Sequence, residues 1–195
     1  MGGVCYYLKL ESNGKIKKKI PAPKCTDNFQ IVSPRFVYLG YEWHSVEQAF
    51  QALKFPEESL ARNEIHDTAP EEGESDRHYG GRMWSRGQLR GDSNMRDEWE
   101  LVKVKVMYML NLAKYASNSS FQTDLIETTE NFLIVGLPST PSNRHGKSWK
   151  FWNENIQMAV RNEIASGNDL LDRISNIEHM TGEDVERMLM KIAGE

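Results

Sequence analysis

Glu47, Gln51 and Lys54 stand four and then three residues apart in a stretch, residues 43–55, that contains neither Gly nor Pro. On a helix, residues three or four apart are neighbours, so a carboxylate, an amide and an amine would share one face. That set can move a proton, orient a substrate and attack a sugar carbon. Burial would raise the pKa of Glu47 and lower that of Lys54. Both shifts favour acid/base or nucleophilic work near neutral pH. The alternative is a plain solvated helix face, the commoner fate of Glu and Lys. Residue types alone leave both readings open.

The element that must carry these groups reads clearly as a helix. Ala, Gln, Glu, Leu and Lys favour helix, and Pro56 ends the run. Ser45 is an N-cap candidate and Gln48, three residues on, completes a capping-box spacing. Val46, Ala49, Phe50 and Leu53 make the apolar stripe, with Trp43 just before it. The approach is a loop containing Asp27, Asn28 and Phe29, then a short aromatic and β-branched strand over 35–39 that ends at Gly40. Loops feeding a rigid helix often carry binding groups. Asn28 therefore reads either as a ligand contact or as a turn former.

Residues 67–97 read as an irregular loop rich in glycine and arginine, with Gly73, Gly80, Gly81, Gly87 and Gly91 beside Arg77, Arg82, Arg86, Arg90 and Arg96. Arg forks match phosphate oxygens in a way Lys cannot, glycine permits close backbone approach, and Trp84 offers a stacking surface. A loop this long is usually functional or disordered. It reads as a phosphate or nucleotide contact, or as a surface loop with Arg–Asp pairs.

Elsewhere, 5–10 and 15–20 read as a β-hairpin around Ser12, Asn13 and Gly14, with Lys15, Lys17, Lys18 and Lys19 blunting an edge strand. A helix is expected over 58–66 and a largely buried one over 97–116, apolar on nearly all sides and carrying Trp99 and Lys103. Helix 121–128, strand 131–135, a turn-rich loop over 137–150, helix 153–165 and two amphipathic helices over 169–179 and 183–193 complete the chain. The fold class is mainly α (α+β): a single helical domain with a short N-terminal hairpin and a few short strands. Its organisation is 1–20 hairpin, 21–166 main domain, and 167–195 C-terminal helical extension.

The bulk numbers narrow the function. The 195 residues carry a formal charge of -4, so any phosphate recognition must be local. Two cysteines give no disulfide framework and fit a reducing compartment. No run reaches membrane-spanning length and no signal-peptide core opens the chain, so a cytoplasmic or nuclear, non-secreted protein is expected. The five histidines show no metal-ligand spacing, and there is no Walker loop, nucleophile elbow or dinucleotide-binding fingerprint. No metal and no cofactor are expected.

Taken together, Trp43, Ser45, Glu47, Phe50, Gln51, Ala52, Lys54 and Phe55 resemble the signature helix of the NADAR family, the YbiA-like N-glycosidases. Asp27–Asn28–Phe29, the pair Gly81 and Arg82, the run Trp99, Glu100, Val102, Lys103, Val106 and Met107, then Ala113–Lys114–Tyr115, Thr128, and Met158 with Arg161 extend the likeness over about 27–165. The resemblance implies a YbiA-like domain that cleaves an N-glycosidic bond to ribose. Glu47 would move protons and Lys54 would attack the anomeric carbon through a Schiff base. Asn28, Phe29, Trp43, Gln48, Gln51, Arg82, Trp84, Trp99 and Lys103 would bind substrate. Gln48 stands where the family has His, and an Asp of the family has no clear counterpart in 137–150. The insertion over 83–94 and the arginines favour a diphosphate ligand. The expected substrate is therefore ADP-ribosylated guanine in DNA, RNA or a free nucleotide, acted on by a monomer. The alternatives are a non-catalytic ADP-ribose-binding module, or an N-glycosidase of riboflavin-biosynthesis intermediates. A structural interaction domain would bind no nucleotide at all.

Overall fold

The computed structural model describes residues 4–89, 94–127 and 132–195. Arg90, Gly91, Thr128 and Asn131, each given a part in the expectations above, lie outside these residues.

The N-terminal hairpin pairs β1 (Tyr6–Leu10) with β2 (Ile16–Pro21), and β5 (Phe132–Val135) adds to the other side of β1, giving a sheet of order β2-β1-β5. β1 runs antiparallel to both neighbours. Tyr7 points into the core while the β2 lysines face water at the sheet edge, where they discourage strand-to-strand association. A second hairpin, β3 (Phe36–Tyr38) and β4 (Tyr41–Trp43), turns at Leu39 and Gly40, both at positive φ (53° and 76°), and delivers the chain to α1 (Val46–Ala52).

Then follow α2 (Leu60–His66), α3 (Asp76–Gln88), α4 (Trp99–Ala116) and α5 (Ser119–Ile126). A third hairpin, β6 (Pro141–Arg144) with β7 (Lys147–Ser148), leads into α6 (Trp149–Ala165), α7 (Leu170–Glu178) and α8 (Gly182–Ile192). The architecture is α+β and mainly helical. α4 is its axis: thirteen of its eighteen residues are buried, and α1, α5, α6, α7 and α8 all pack against it. Its nearly all-round apolar surface is what lets five helices share it. Thr181 and Asp184 close a capping box at the start of α8.

Three expectations need correction. The helix expected to carry Glu47, Gln51 and Lys54 together ends at Ala52 with Leu53 as its C-cap, so Lys54 sits in the turn beyond it. Residues 76–88 are not a loop but the helix α3, begun by Ser75, whose hydroxyl accepts from the His78 amide. Two of its three glycines, Gly80 and Gly87, serve packing rather than flexibility. A Cβ on Gly80 would sit 2.2 Å from Cγ of Phe29, and one on Gly87 would sit 2.0 Å from Oε1 of Gln51. The loss of helix propensity at glycine is offset by the close approach of α3 to α1 and to the 27–30 segment. Residues 137–150 contain the β6–β7 hairpin and the first turn of α6, where a loop was expected. The strand is hard to see because its turn depends on Asn143, His145 and Gly146 at positive φ, not on an alternating apolar pattern.

Candidate active site

All seven residues of α1 are buried. Ser45 caps the helix, its Oγ accepting from the Gln48 amide at 3.0 Å. The reciprocal half of a capping box is shifted by one residue: Gln48 Oε1 accepts from the amide of His44, at 2.8 Å, instead of from Ser45. The Gln48 Nε2 donates to the carbonyls of Ile65, His66 and Thr68 at 3.1, 2.8 and 3.1 Å. Gln48 therefore sews α1 to the end of α2.

The opposite face of α1 holds the chemistry. Glu47 is fully buried, and its Oε1 accepts from Nε2 of Gln51 at 2.6 Å. Its Oε2 and the Oε1 of Gln51 have no hydrogen-bond partner. Burial raises the Glu47 pKa; the Gln51 hydrogen bond and the charge of Lys54 oppose that rise without cancelling it. A carboxyl held this way keeps its proton more readily than one in water. It can therefore serve as an acid nearer neutral pH.

Gln51 and Lys54 open into a cleft of about 620 Å³. Lys54 is 7% exposed. The walls come from four directions: Phe50 and Gln51 of α1 with Lys54 in the turn that follows it, Trp84 and Gln88 from α3, Trp99, Glu100 and Lys103 from α4, and Thr140, Pro141, Asn143 and Trp149 from the third hairpin and the start of α6. The ring of Phe50 lies 4.9 Å from that of Trp99 and 5.2 Å, edge-on, from that of Trp149. Trp84 is the exposed ring at the rim. Lys103 donates to Glu100 at 2.6 Å, so this wall presents an ion pair. Flat rings around a polar floor suit a nucleoside, which offers a base to stack and a ribose to hold.

The expected site residues divide accordingly. Gln51, Lys54, Trp84, Trp99 and Lys103 line the cleft, with Glu47 directly behind Gln51. Asn28 lies deeper: its carbonyl accepts from the Glu47 amide at 2.9 Å and its side chain donates to Asn153 at 3.1 Å. Its Oδ1 is unpartnered. Phe29 packs against Gly80. Trp43 is fully buried, donating to the Tyr38 carbonyl at 3.2 Å and lying edge-on to His66. Arg82 turns away into a groove of about 720 Å³ on the outer face of α3, lined also by Arg77 and Arg86, where Glu74 takes its fork at 3.0 and 2.5 Å. That groove is the roomier hollow, but the amine lines the cleft and the acid lies directly behind it.

Sequence reasoning did not select Trp149, Glu100 or Asn143 as site residues. Trp149 and Asn143 sit in a turn-rich run before a helix, where the rule applied to the approach to α1 would also have pointed. Glu100 is one helical turn from Lys103, a spacing that allows the ion pair. Among the described residues, no cluster of His, Cys, Asp and Glu could hold a metal ion, and no helix is long and apolar enough to cross a membrane.

Glu47 on a short helix, behind Gln51, and Lys54 just past the end of that helix thus stand at one aromatic cleft on this α+β frame. The chain belongs to the NADAR family, whose domain matches residues 12–141, and this membership supports an N-glycosidase activity in general terms. Among solved structures it is similar to the NMR structure of the E. coli protein YbiA, at 25% identity and a TM-score of 0.52, over 80% of this chain and 82% of that one. No curated protein matches the chain.

Proposed function

We propose that this protein hydrolyses the N-glycosidic bond between ribose and a base, and that its substrate is ADP-ribosylated guanine in a nucleic acid or nucleotide. The observation that carries the reading is a buried acid, Glu47, hydrogen-bonded to Gln51 directly behind the floor of one aromatic-walled cleft that Lys54 also lines. The ribose sits over Gln51, and Trp99 and Trp149 flank it. Trp84 at the rim takes the base or the adenine.

In the first step the neutral amine of Lys54 attacks the anomeric carbon. The carbon–nitrogen bond to the base breaks, and the base leaves with that electron pair and a proton from Glu47. The ribose ring then opens: its C1–O bond breaks, the ring oxygen takes a proton from the lysine nitrogen, and that nitrogen's electron pair closes a protonated Schiff base. Water adds to the imine carbon, the C–N bond to lysine breaks with the electron pair staying on nitrogen, and the surplus proton passes to the Glu47 carboxylate, so that free ADP-ribose leaves and the neutral amine and the acid are both restored. Covalent catalysis of this kind divides one difficult displacement into easier ones.

The test is to incubate the protein with a guanine-ADP-ribosylated oligonucleotide and follow ADP-ribose release, with borohydride added to trap the imine. Release together with an adduct that Lys54→Ala abolishes is the expected result. Release with no adduct, or an adduct surviving Lys54→Ala, removes the lysine step. Tight ADP-ribose binding without turnover of any conjugate would make this a reader of ADP-ribose. Turnover only of riboflavin-biosynthesis intermediates would move the substrate assignment there.

A further inference from the structure

We infer that the C-terminal helices act as a clamp on one wall of the cleft, with Glu186 of α8 as the positioning residue. This rests on the cleft being the reaction site proposed above. Residues 142–195 lie beyond the family match, yet they contribute Asn143 and Trp149 to the cleft.

The Glu186 side chain is completely buried, and the partners it has are on the third hairpin. Its two oxygens accept from Nε and Nη2 of Arg144, each at 2.7 Å, and one of them lies 2.9 Å from Nε2 of His145. A bidentate fork fixes orientation as well as distance. The hairpin needs such a restraint, because its turn holds Asn143 and His145 at φ 59° and 49°, a region disfavoured for residues with a side chain. From inside, Oγ of Ser142 accepts from Nε1 of Trp152 at 2.8 Å and donates to the Lys147 carbonyl at 2.7 Å. From outside, Glu186 grips Arg144 and His145. Asn143, between these two attachments, and Thr140 and Pro141, just before the first, face the cleft.

The grip is referred back to the opposite wall. α8 begins hard against α4: a Cβ on Gly182 would sit 1.9 Å from the Leu101 carbonyl oxygen. Val185 and Leu189 bury the rest of its inner face. Leu101 follows Trp99 and Glu100, which form that opposite wall. One helix therefore touches both sides of the cleft, locked to α4 by close packing and to the hairpin by charge. A lysine–carboxylate contact between Lys147 and Glu195 adds a second tie from the C-terminus. Burying a carboxylate is costly unless its partners are well placed. Here that cost is met by hydrogen bonds to the segment that shapes the site.

The test compares wild type with Glu186→Gln and Glu186→Ala in the full chain. The readouts are thermal melting, amide exchange over 141–148, the ADP-ribose Kd, and kcat and KM on the ADP-ribosylated oligonucleotide. The expected result is faster exchange in the hairpin and a KM and Kd raised about tenfold, with kcat changed less than about threefold. Arg144→Lys, which keeps the charge but loses the fork, falls between. Folded Glu186 variants with wild-type hairpin exchange and wild-type KM and Kd would overturn the clamp. If they do not fold, Arg144→Gln at the rim of the pair carries the same readouts. A wild type without turnover would dispose of the reaction but not of the clamp, which the exchange rates and the ADP-ribose Kd still decide.

Discussion

Gln51 donates to Glu47 at 2.6 Å, and through this contact a carboxyl group without solvent-accessible surface meets the cleft. Gln51 is held from the far side by Gly87, where even a methyl group would collide with its amide oxygen. The acid, the amide and the glycine thus form one line from the core of α1 to the packing face of α3.

Replacing Gly87 by Ala breaks this line. Alanine favours helix by about 1 kcal/mol over glycine, but its methyl must push Gln51 away from Glu47. A displacement of that kind costs on the order of 10²-fold in kcat. Steady-state kinetics beside a melting curve would show activity lost from a folded protein. Wild-type kcat in Gly87→Ala would separate Gln51 from catalysis.

Glu47→Gln should abolish turnover and yet stabilise the protein at neutral pH. The folded pKa of Glu47 is raised by burial, so its contribution to stability is full below the unfolded pKa and is lost as pH rises through the folded value. A neutral amide carries no such loss. Each kcal/mol regained raises the melting temperature by about 2–4 °C at this chain length. A less stable Glu47→Gln protein at pH 7 would contradict the assignment.

Lys114 gives a pH dependence of a different origin. It is fully buried, donates to the Cys25 carbonyl and has its pKa pushed down to about 8, chiefly by desolvation. With the folded value below the unfolded one, the unfolded chain binds more protons between them, so stability rises with pH from about 8 towards about 10.5. Buried Cys5 acts in the opposite sense above its ordinary value of 9.0. The Lys114 contribution is therefore best read as wild type minus Lys114→Met. Urea unfolding at pH 7 and pH 9 should show that difference shifting by about 1 kcal/mol in favour of the lysine at the higher pH. A difference independent of pH would refute a depressed Lys114.

Trp84→Ala tests the rim. Trp84 is exposed while Trp99 is buried, so truncating it spares the core. Loss of one stacking surface should weaken ligand binding by about 1–3 kcal/mol with an unchanged melting temperature. Calorimetry with ADP-ribose measures the first and a thermal scan the second.

The helix carrying Glu47 and Gln51 could be read directly, because its propensities, its cap and its apolar stripe agree, though it stops at Ala52 and leaves Lys54 in the turn beyond. The burial of its polar face could not, since that depends on α3 and α4 arriving from elsewhere in the chain. α3 itself was hidden for a physical reason. Gly80, Gly81 and Gly87 are signals for loops in any local reading, and only the contacts with Phe29 and Gln51 show why two of them are tolerated in a helix. The arginines then misled in turn. On a loop they would have been free to reach the ligand, but on a helix Arg82 is carried to the outer face and into the grip of Glu74. Trp149 and Asn143 depended on a hairpin whose turn is built from left-handed residues rather than from a hydrophobic pattern.

Because no residue of α1 reaches the surface, that helix has little room to vary. Each position is fixed by packing, by chemistry or by both, and a change made there to admit a new ligand would disturb the core at once. Altering what the protein accepts therefore falls to the parts around it: the exposed end of α3, the first turn of α4 and the third hairpin. An engineer seeking a different substrate should leave the floor alone and rebuild the walls.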